Sequence, residues 1–286
     1  MILITGAAGK TGLALLRQLG LMQRPARALV RRQDQIQRAL EMGAREALVG
    51  DLLDRQSMIP AFSGVTAVYH IPPNVHPQEE QMAENVLRLS RQHGVKHFVY
   101  HSVLRPYIRA MPHHIKKARV EERLFTTSMP FTILQPAAYM QNTLPALQKV
   151  SEAGVFSVPY SIDTPMGMVD LNEVAEVGCR VLANADHYGA TYELSGAEIL
   201  TPSEIAKLMG AAFGRPVEAQ EVDLKTWRRQ AMKAGMPRYQ VKTLIKMFRY
   251  YTRYGFWGNP HTLTSLLGRP PTTYAQFLAS LDLARG

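Results

Sequence analysis

The N-terminal stretch Met1–Gly12, MILITGAAGKTG, sets a β-branched apolar run directly before three glycines at three-residue spacing, Gly6, Gly9 and Gly12. A glycine-rich turn between a strand and a helix presents main-chain amides at a helix N-terminus, which suits a phosphate. Two phosphate motifs compete for the same residues. Gly9-Lys10-Thr11 resembles the end of a nucleoside-triphosphate loop, but that loop needs a glycine at position 4, where the chain has Ile4. The spacing Gly6-x-x-Gly9-x-x-Gly12 fits a dinucleotide fingerprint, whose glycines turn the chain, admit a pyrophosphate and pack helix on strand.

The first half continues in the rhythm that this opening implies. Short β-rich runs (Ile2–Thr5, Ala26–Val30, Ala47–Val49, Ala67–Ile71, Phe98–His101, Phe131–Leu134) alternate with amphipathic stretches such as Thr11–Leu21, Gln33–Met42, Gln78–Gln92 and His114–Thr126. The fold class is therefore α/β, a doubly wound parallel sheet of Rossmann type. Past residue 150, Gly154, Pro159, Pro165 and Gly167 break the rhythm. This predicts a dinucleotide-binding domain over 1–150 and a smaller C-terminal α/β substrate domain over 151–286, with its segments free to interleave with the first. Leu171–Asn184 and Pro202–Phe213 read as helices there, with TYELSG as a strand between them.

The second strand, ALVRR, ends in Arg31 and Arg32. A NAD site places an acid near that point to bind the ribose hydroxyls, whereas two guanidinium groups suit a 2′-phosphate. The expected cofactor is NADP(H) in preference to NAD(H), though Asp34 could also bind ribose and two solvated arginines would look the same in a basic protein.

With 286 residues and one cysteine, Cys179, the chain can build a large core and no internal disulfide. No Cys/His spacing matches a metal site, no apolar run reaches the ~20 residues of a membrane span, and the expected location is cytoplasmic. The formal charge of +10 asks for an anionic partner. Nine Lys/Arg face one acid between Asp223 and Tyr254, in a helix-like aromatic run that could be a solvated face, a lid that shapes the substrate pocket, or a surface for an anionic membrane or nucleic acid. No DNA-reading motif accompanies them, so nucleic acid is not the expected partner.

Ordered matches along the chain, ILITGAAGKTG, ALVRR, LVGDLLD, HHIKKARVEERLFTTSMPFTILQPAAYMQN, MVDLNEVAEVG, YELSGAEILTPSEIA and LLGRPPTTYAQFLA, resemble the NmrA-like branch of the atypical short-chain dehydrogenases/reductases. The resemblance implies an NAD(P)(H)-binding Rossmann domain and, by position, a set of contacts. Thr5, Gly6, Gly9, Lys10, Thr11 and Gly12 would meet the pyrophosphate, and Arg31, with Arg32, the 2′-phosphate. Asp51 and Leu52 would meet the adenine, Ile71 and Pro72 of HIPP the nicotinamide ribose, and Ser102 and Lys117 complete the cofactor set. Asp51 could instead cap the helix starting near Asp54, and Pro72-Pro73 could simply end the fourth strand.

The family includes quinone oxidoreductases, dye reductases and cofactor-binding redox sensors, so the expected activity is hydride transfer from NAD(P)H to a small quinone-like or aromatic acceptor by a monomer or homodimer. The alternative is a sensor without turnover. The chain lacks the Tyr-x-x-x-Lys of ordinary short-chain dehydrogenases: Tyr107 follows Ser102 and is followed at four residues by Met111. The family's active-site helix carries Lys-x-x-x-Glu instead, here Lys117 and Glu121, with His113 one turn earlier. Lys117, His113 and Tyr139 are thus the candidate catalytic residues, with Asn142 beside Tyr139. Lys116 and Lys117 could equally be a solvent-facing pair, and Tyr139 and Asn142 could cap the following helix.

Overall fold

A computed structural model describes residues 1–281. Two compact units are built from interleaved segments, residues 1–107, 113–135 and 171–192 in one and residues 108–112, 136–170 and 193–286 in the other. The change of rhythm at 150 is therefore not a single cut. Pro136–Asp170 already belongs to the second unit, while the predicted helix and strand after residue 170 largely return to the first.

The first unit carries strands β1 (Ile2–Ile4), β2 (Ala26–Val30), β3 (Glu46–Val49), β4 (Ala67–His70), β5 (His97–His101) and β6 (Phe131–Pro136), with β7 (Thr191–Leu194) on the far edge. Their order is β7-β6-β5-β4-β1-β2-β3, and β1 pairs in parallel with both β2 and β4. The chain thus winds outward in both directions from β1, and the direction reverses between β1 and β4. In such sheets ligands bind beyond the C-terminal strand ends at that reversal.

Strands covered on both faces are apolar throughout. One face buries Leu3, Val68, Phe98, Tyr100 and Ile133 against Val86 and Leu87 of α2 (Glu79–Gln92) and Val120 and Leu124 of α3 (Pro112–Phe125). On the other side α1 (Lys10–Leu21) packs against α4 (Leu171–Ala183). Gly178 of α4 has Tyr69 and Leu15 at 3.0 and 3.1 Å from where a Cβ would stand, so only a hydrogen fits there without repacking.

The second unit has a three-stranded sheet of Ile199–Leu200, Met166–Val169 and Ala138–Tyr139, and a parallel pair of Val155–Val158 with Glu218–Glu221. Its core gathers Phe156, Met168, Ile205, Met209, Tyr274 and Phe277. Thr201 and Glu204 form a reciprocal capping box at the start of Pro202–Phe213. Helices α5 (Leu224–Lys233) and α6 (Arg238–Tyr254) follow, joined at their apolar faces by the rings of Trp227 and Phe248 with centroids 4.8 Å apart.

Arg27 is a buried cation in the middle of β2. Its guanidinium donates to Ala61 O at 2.6 Å, Ser63 O at 2.7 Å and Glu46 at 2.9 Å, fastening the turn before β4 to β2. Arg27→Leu leaves two inward-facing carbonyls without a donor and is expected to destabilise the fold by ~2–4 kcal/mol. Urea unfolding checks this, and a midpoint unchanged from the parent contradicts it.

Candidate functional site

At the reversal between β1 and β4 the two main chains leave the sheet almost in contact. Gly6 takes φ +62°, and a Cβ on it would stand 2.5 Å from the carbonyl oxygen of Ile71. Any side chain there meets both an unfavourable backbone conformation and a main-chain atom that cannot swing away. Gly12 is constrained from another side, since its Cβ would fall 2.5 to 2.7 Å from the backbone of Gly6 and Ala7. The first turn of α1 can therefore sit down on the loop. Gly9 is the N-cap of α1, and no side chain caps it. The result is a side-chain-free cradle with the positive end of a 12-residue helix at its rim.

Thr5 forms the floor of this cradle. Its hydroxyl accepts from Ile71 N at 3.1 Å and lies 2.7 Å from His70 Nδ1, and its amide donates to Tyr69 O. The Thr5 side chain is thus committed to joining β1 to β4.

At the end of β2, the Gln35 side-chain carbonyl accepts from the amides of both Arg31 and Arg32 at 3.1 Å. The two guanidinium groups then diverge. Arg32 is held by Asp34 through two hydrogen bonds of 2.9 and 3.1 Å. Arg31 is 76% exposed in its side chain, with Nε 3.9 Å from Asp51 Oδ2. Asp51 does not cap the helix after it: Asp54 does, accepting from Gln56 N. Asp51 instead accepts from Leu53 N and holds a tight turn beside Arg31. Leu52 is half-buried and its carbonyl accepts from Asn85.

Beyond β4, β5 and β6 lies a buried polar cluster. Lys117 of α3 points inward, its Nζ 2.6 Å from Glu79 Oε1 with side chains only 8% and 0% exposed. Tyr100 also donates to Glu79, at 3.3 Å. Glu121, one turn after Lys117, accepts from Ser102 Oγ and from Gln135 Nε2. Burial pushes the Glu121 carboxyl upward while these donors oppose the shift, and burial followed by the Glu79 charge raises the Tyr100 phenol. The reading of Lys116 and Lys117 as a solvent-facing pair is thereby corrected: Lys116 pairs with Glu80 near the surface, while Lys117 lies inside.

Four histidines surround this ammonium. Burial is the main cause that lowers all four: His70 and His101 to about 3, with the Lys117 charge next; His113 to about 2, with His114 and then Lys117 adding to it; and His114 to about 4, where the hydrogen bond to Arg105 O opposes the shift and the Lys117 charge adds to it. His114 Nδ1 donates to Arg105 O, whereas His113 Nδ1 and His70 Nε2 are buried with no hydrogen-bond partner among the described residues. The loops here are strained as well. Val75 and Arg105 both take φ +53°, a conformation that a β-branched residue rarely adopts.

Tyr107 is 67% exposed. Tyr139 is half-buried on the second unit's short strand, pairing with Val169, and its side chain caps no helix. Asn142 is exposed at the end of the 3-10 turn Met140–Asn142.

The family model of the NmrA-like family matches residues 1–272. The chain belongs to the NmrA-like family. Among its relatives, NAD(P)H azoreductase of Xenophilus azovorans is 28% identical over 100% of this chain and 99% of the relative. The crystal structure of the NADPH-dependent quinone oxidoreductase of Escherichia coli complexed with NADPH superposes with a TM-score of 0.84 at 24% identity, over 98% of this chain and 99% of that one. The triphenylmethane reductase of Citrobacter sp. complexed with NADP(H) gives the same TM-score at 23% identity, with 98% and 99% covered.

Three members of the cluster went unsingled by sequence reasoning. Glu79, Tyr100 and Gln135 reach Lys117 and Glu121 only through tertiary packing, and no local spacing marks them. The one available signal was an acid at the start of α2, a position that ordinary helix-dipole stabilisation also explains. The buried histidines carry a consequence for stability. Unfolded histidines titrate near ~6.5, above their folded values, so below that pH the unfolded chain binds more protons. Burial, and then the His187 charge, also lowers His97 to about 4, so each of His70, His97, His101, His113 and His114 should then cost up to about 1.4 kcal/mol of stability per pH unit on acidification below ~6.5. Urea midpoints measured from pH 7.5 down to pH 5 should fall steadily; a flat profile contradicts the buried neutral state.

Proposed function

We propose that this NmrA-like chain is an NADP(H)-dependent oxidoreductase that passes a hydride to a small quinone-like or dye-like aromatic acceptor. The observation that carries the reading is the cradle at the β1–β4 reversal, where added Cβ atoms at Gly6 and Gly12 would strike backbone. The main-chain surface around Gly6, Gly9, Lys10, Thr11 and Gly12 fits a diphosphate, and Thr5 keeps its floor in shape. Exposed Arg31 is the group we assign to a 2′-phosphate, with Asp51 holding it loosely in reserve and Arg32 already occupied by Asp34. Asp51 and Leu52 then border the adenine, Ile71 and Pro72 the nicotinamide ribose, and Ser102 supports the site through Glu121. The relative named NAD(P)H azoreductase, together with the solved quinone and dye reductases, supports this class of acceptor.

When bound, the nicotinamide supplies the hydride. The chain's own part is electrostatic. Lys117, fixed by Glu79, is the cation we assign to the negative charge that develops on an acceptor oxygen, as a preorganised charge in a dry site stabilises such charge strongly. His113 is held neutral, so it suits a hydrogen-bonding role and not that of an imidazolium acid. Quinones need little acid assistance, and positioning contributes much of the rate. The rival reading, a redox sensor, draws on the exposed Tyr107 and the missing Tyr-x-x-x-Lys. Following nicotinamide absorbance with quinones, azo dyes and enones separates the two: NADPH oxidation with any of them is expected, and none with all of them favours the sensor. A single buried cysteine suits the reducing cytoplasm, where we place the reaction.

Arg31→Ala should weaken NADP(H) by ~1.5–3 kcal/mol and NAD(H) much less. Calorimetry with both cofactors checks it, and an equal loss removes Arg31 from the 2′-phosphate. Lys117→Met should lower kcat while leaving NADPH affinity nearly unchanged. Because that change strands a buried carboxylate, the double variant Glu79→Gln/Lys117→Met accompanies it. Parental kcat in the folded double variant would remove Lys117 from the chemistry.

A further inference from the structure

The formal excess of +10 is concentrated almost entirely in one helical pair. Leu224 to Tyr254 holds nine Lys/Arg and no acid, leaving 24 cations against 23 acids in the rest of the chain. All nine are exposed: Lys225, Arg228, Arg229 and Lys233 on α5, and Arg238, Lys242, Lys246, Arg249 and Arg253 on or opening α6. Asp223, the acid nearest in sequence, is spent capping α5 through the amides of Lys225 and Thr226. The five cations of α6 recur at three- and four-residue steps, so at 100° per residue they fall within one arc. Together they form a straight stripe of about 22 Å.

The opposite face of α6 is used by its own unit. Val241, Phe248 and Tyr251 are buried, and Phe248 and Tyr251 meet the Tyr160 ring at 6.1 and 5.8 Å. The helix is therefore anchored, with its five cations facing outward. Like charges in a row repel one another, and the sequence intersperses no acid to relieve them. At the C-terminal end of the stripe Tyr254 and Trp257 are 58% and 40% exposed, with the Arg253 guanidinium 5.3 Å from the Tyr254 ring.

We infer that the α5–α6 face docks on an anionic lipid bilayer. A cationic stripe on an anchored helix, with four more exposed cations on the helix packed against it, complements a sheet of anionic headgroups, and Tyr and Trp favour the headgroup level. Lys and Arg contact nucleic-acid phosphates and guanine as well, so it is the exposed Tyr254 and Trp257 at the end of the stripe that favour a headgroup surface over nucleic acid. The inference stands apart from the cofactor reading, because docking is measured with no nucleotide present.

Sedimentation with vesicles tests it. The protein should partition onto phosphatidylcholine/phosphatidylglycerol vesicles at low salt, stay off pure phosphatidylcholine, and be released as salt is raised. Lys242→Gln/Lys246→Gln/Arg249→Gln should lower that partition more than tenfold, since each basic residue near an anionic surface contributes roughly fivefold. Lys225→Gln/Arg228→Gln/Arg229→Gln should act likewise and covers the case in which the first variant misfolds, which circular dichroism would report. Removing three exposed arginines elsewhere, Arg17, Arg45 and Arg91, should change partition much less. No sedimentation of the parent with anionic vesicles overturns the inference, as does an equal loss in the control variant. A parent that binds a random oligonucleotide yet stays in the supernatant when anionic vesicles are pelleted overturns it in favour of nucleic acid.

Discussion

The organisation of the first unit depends on a steric constraint at the reversal of strand order, where the chain leaving β1 passes within touching distance of the chain leaving β4. Gly6 has to be in the left-handed region, and its missing side chain is the only space available beneath Ile71 O. Once that turn is made, α1 begins four residues after Gly6, at a defined place, and Gly12 lets its first turn close on the loop. The hydroxyl of Thr5 ties the two strands together from below. A cradle of bare main chain is thus the geometric by-product of starting two halves of a sheet side by side, and an anion is the ligand that such a surface recognises.

The second layer of the site is electrostatic and lies over the ends of β4, β5 and β6. Burying Lys117 and Glu79 is expensive, and their 2.6 Å contact offsets that cost only because both groups are present. The same ammonium discourages charge on the four histidines around it, so the cluster holds one cation paired with Glu79 among neutral imidazoles. Ser102, Gln135 and Glu121 close a second hydrogen-bonded set beside it. Such an arrangement is what the proposed electrostatic role of Lys117 requires in place of a tyrosine acid.

What could be read from the sequence was local. The glycine spacing, the β-branched runs and the paired arginines each act within a few residues, and the strands and helices of the first half lie where their periodicity puts them. Long-range partners left no such trace. Lys117 and Glu79 are 38 residues apart, Arg27 fastens a turn 34 residues away, and Leu171–Ala183 joins the first unit despite following a loop-rich stretch of the second. Asp51 and Asp54 show the limit at short range. Both are plausible caps by composition, and only the backbone decides that Asp54 holds the helix while Asp51 faces Arg31.

Calorimetric titration of NADPH into the parent protein and into Gly12→Ala is the most direct measurement of whether the bare main-chain cradle holds a dinucleotide. Saturable binding by the parent, lost in a Gly12→Ala variant that keeps its circular dichroism spectrum, is the expected result. A parent that takes up no NADPH at millimolar concentration, or a folded Gly12→Ala variant that binds as tightly as the parent, would contradict it.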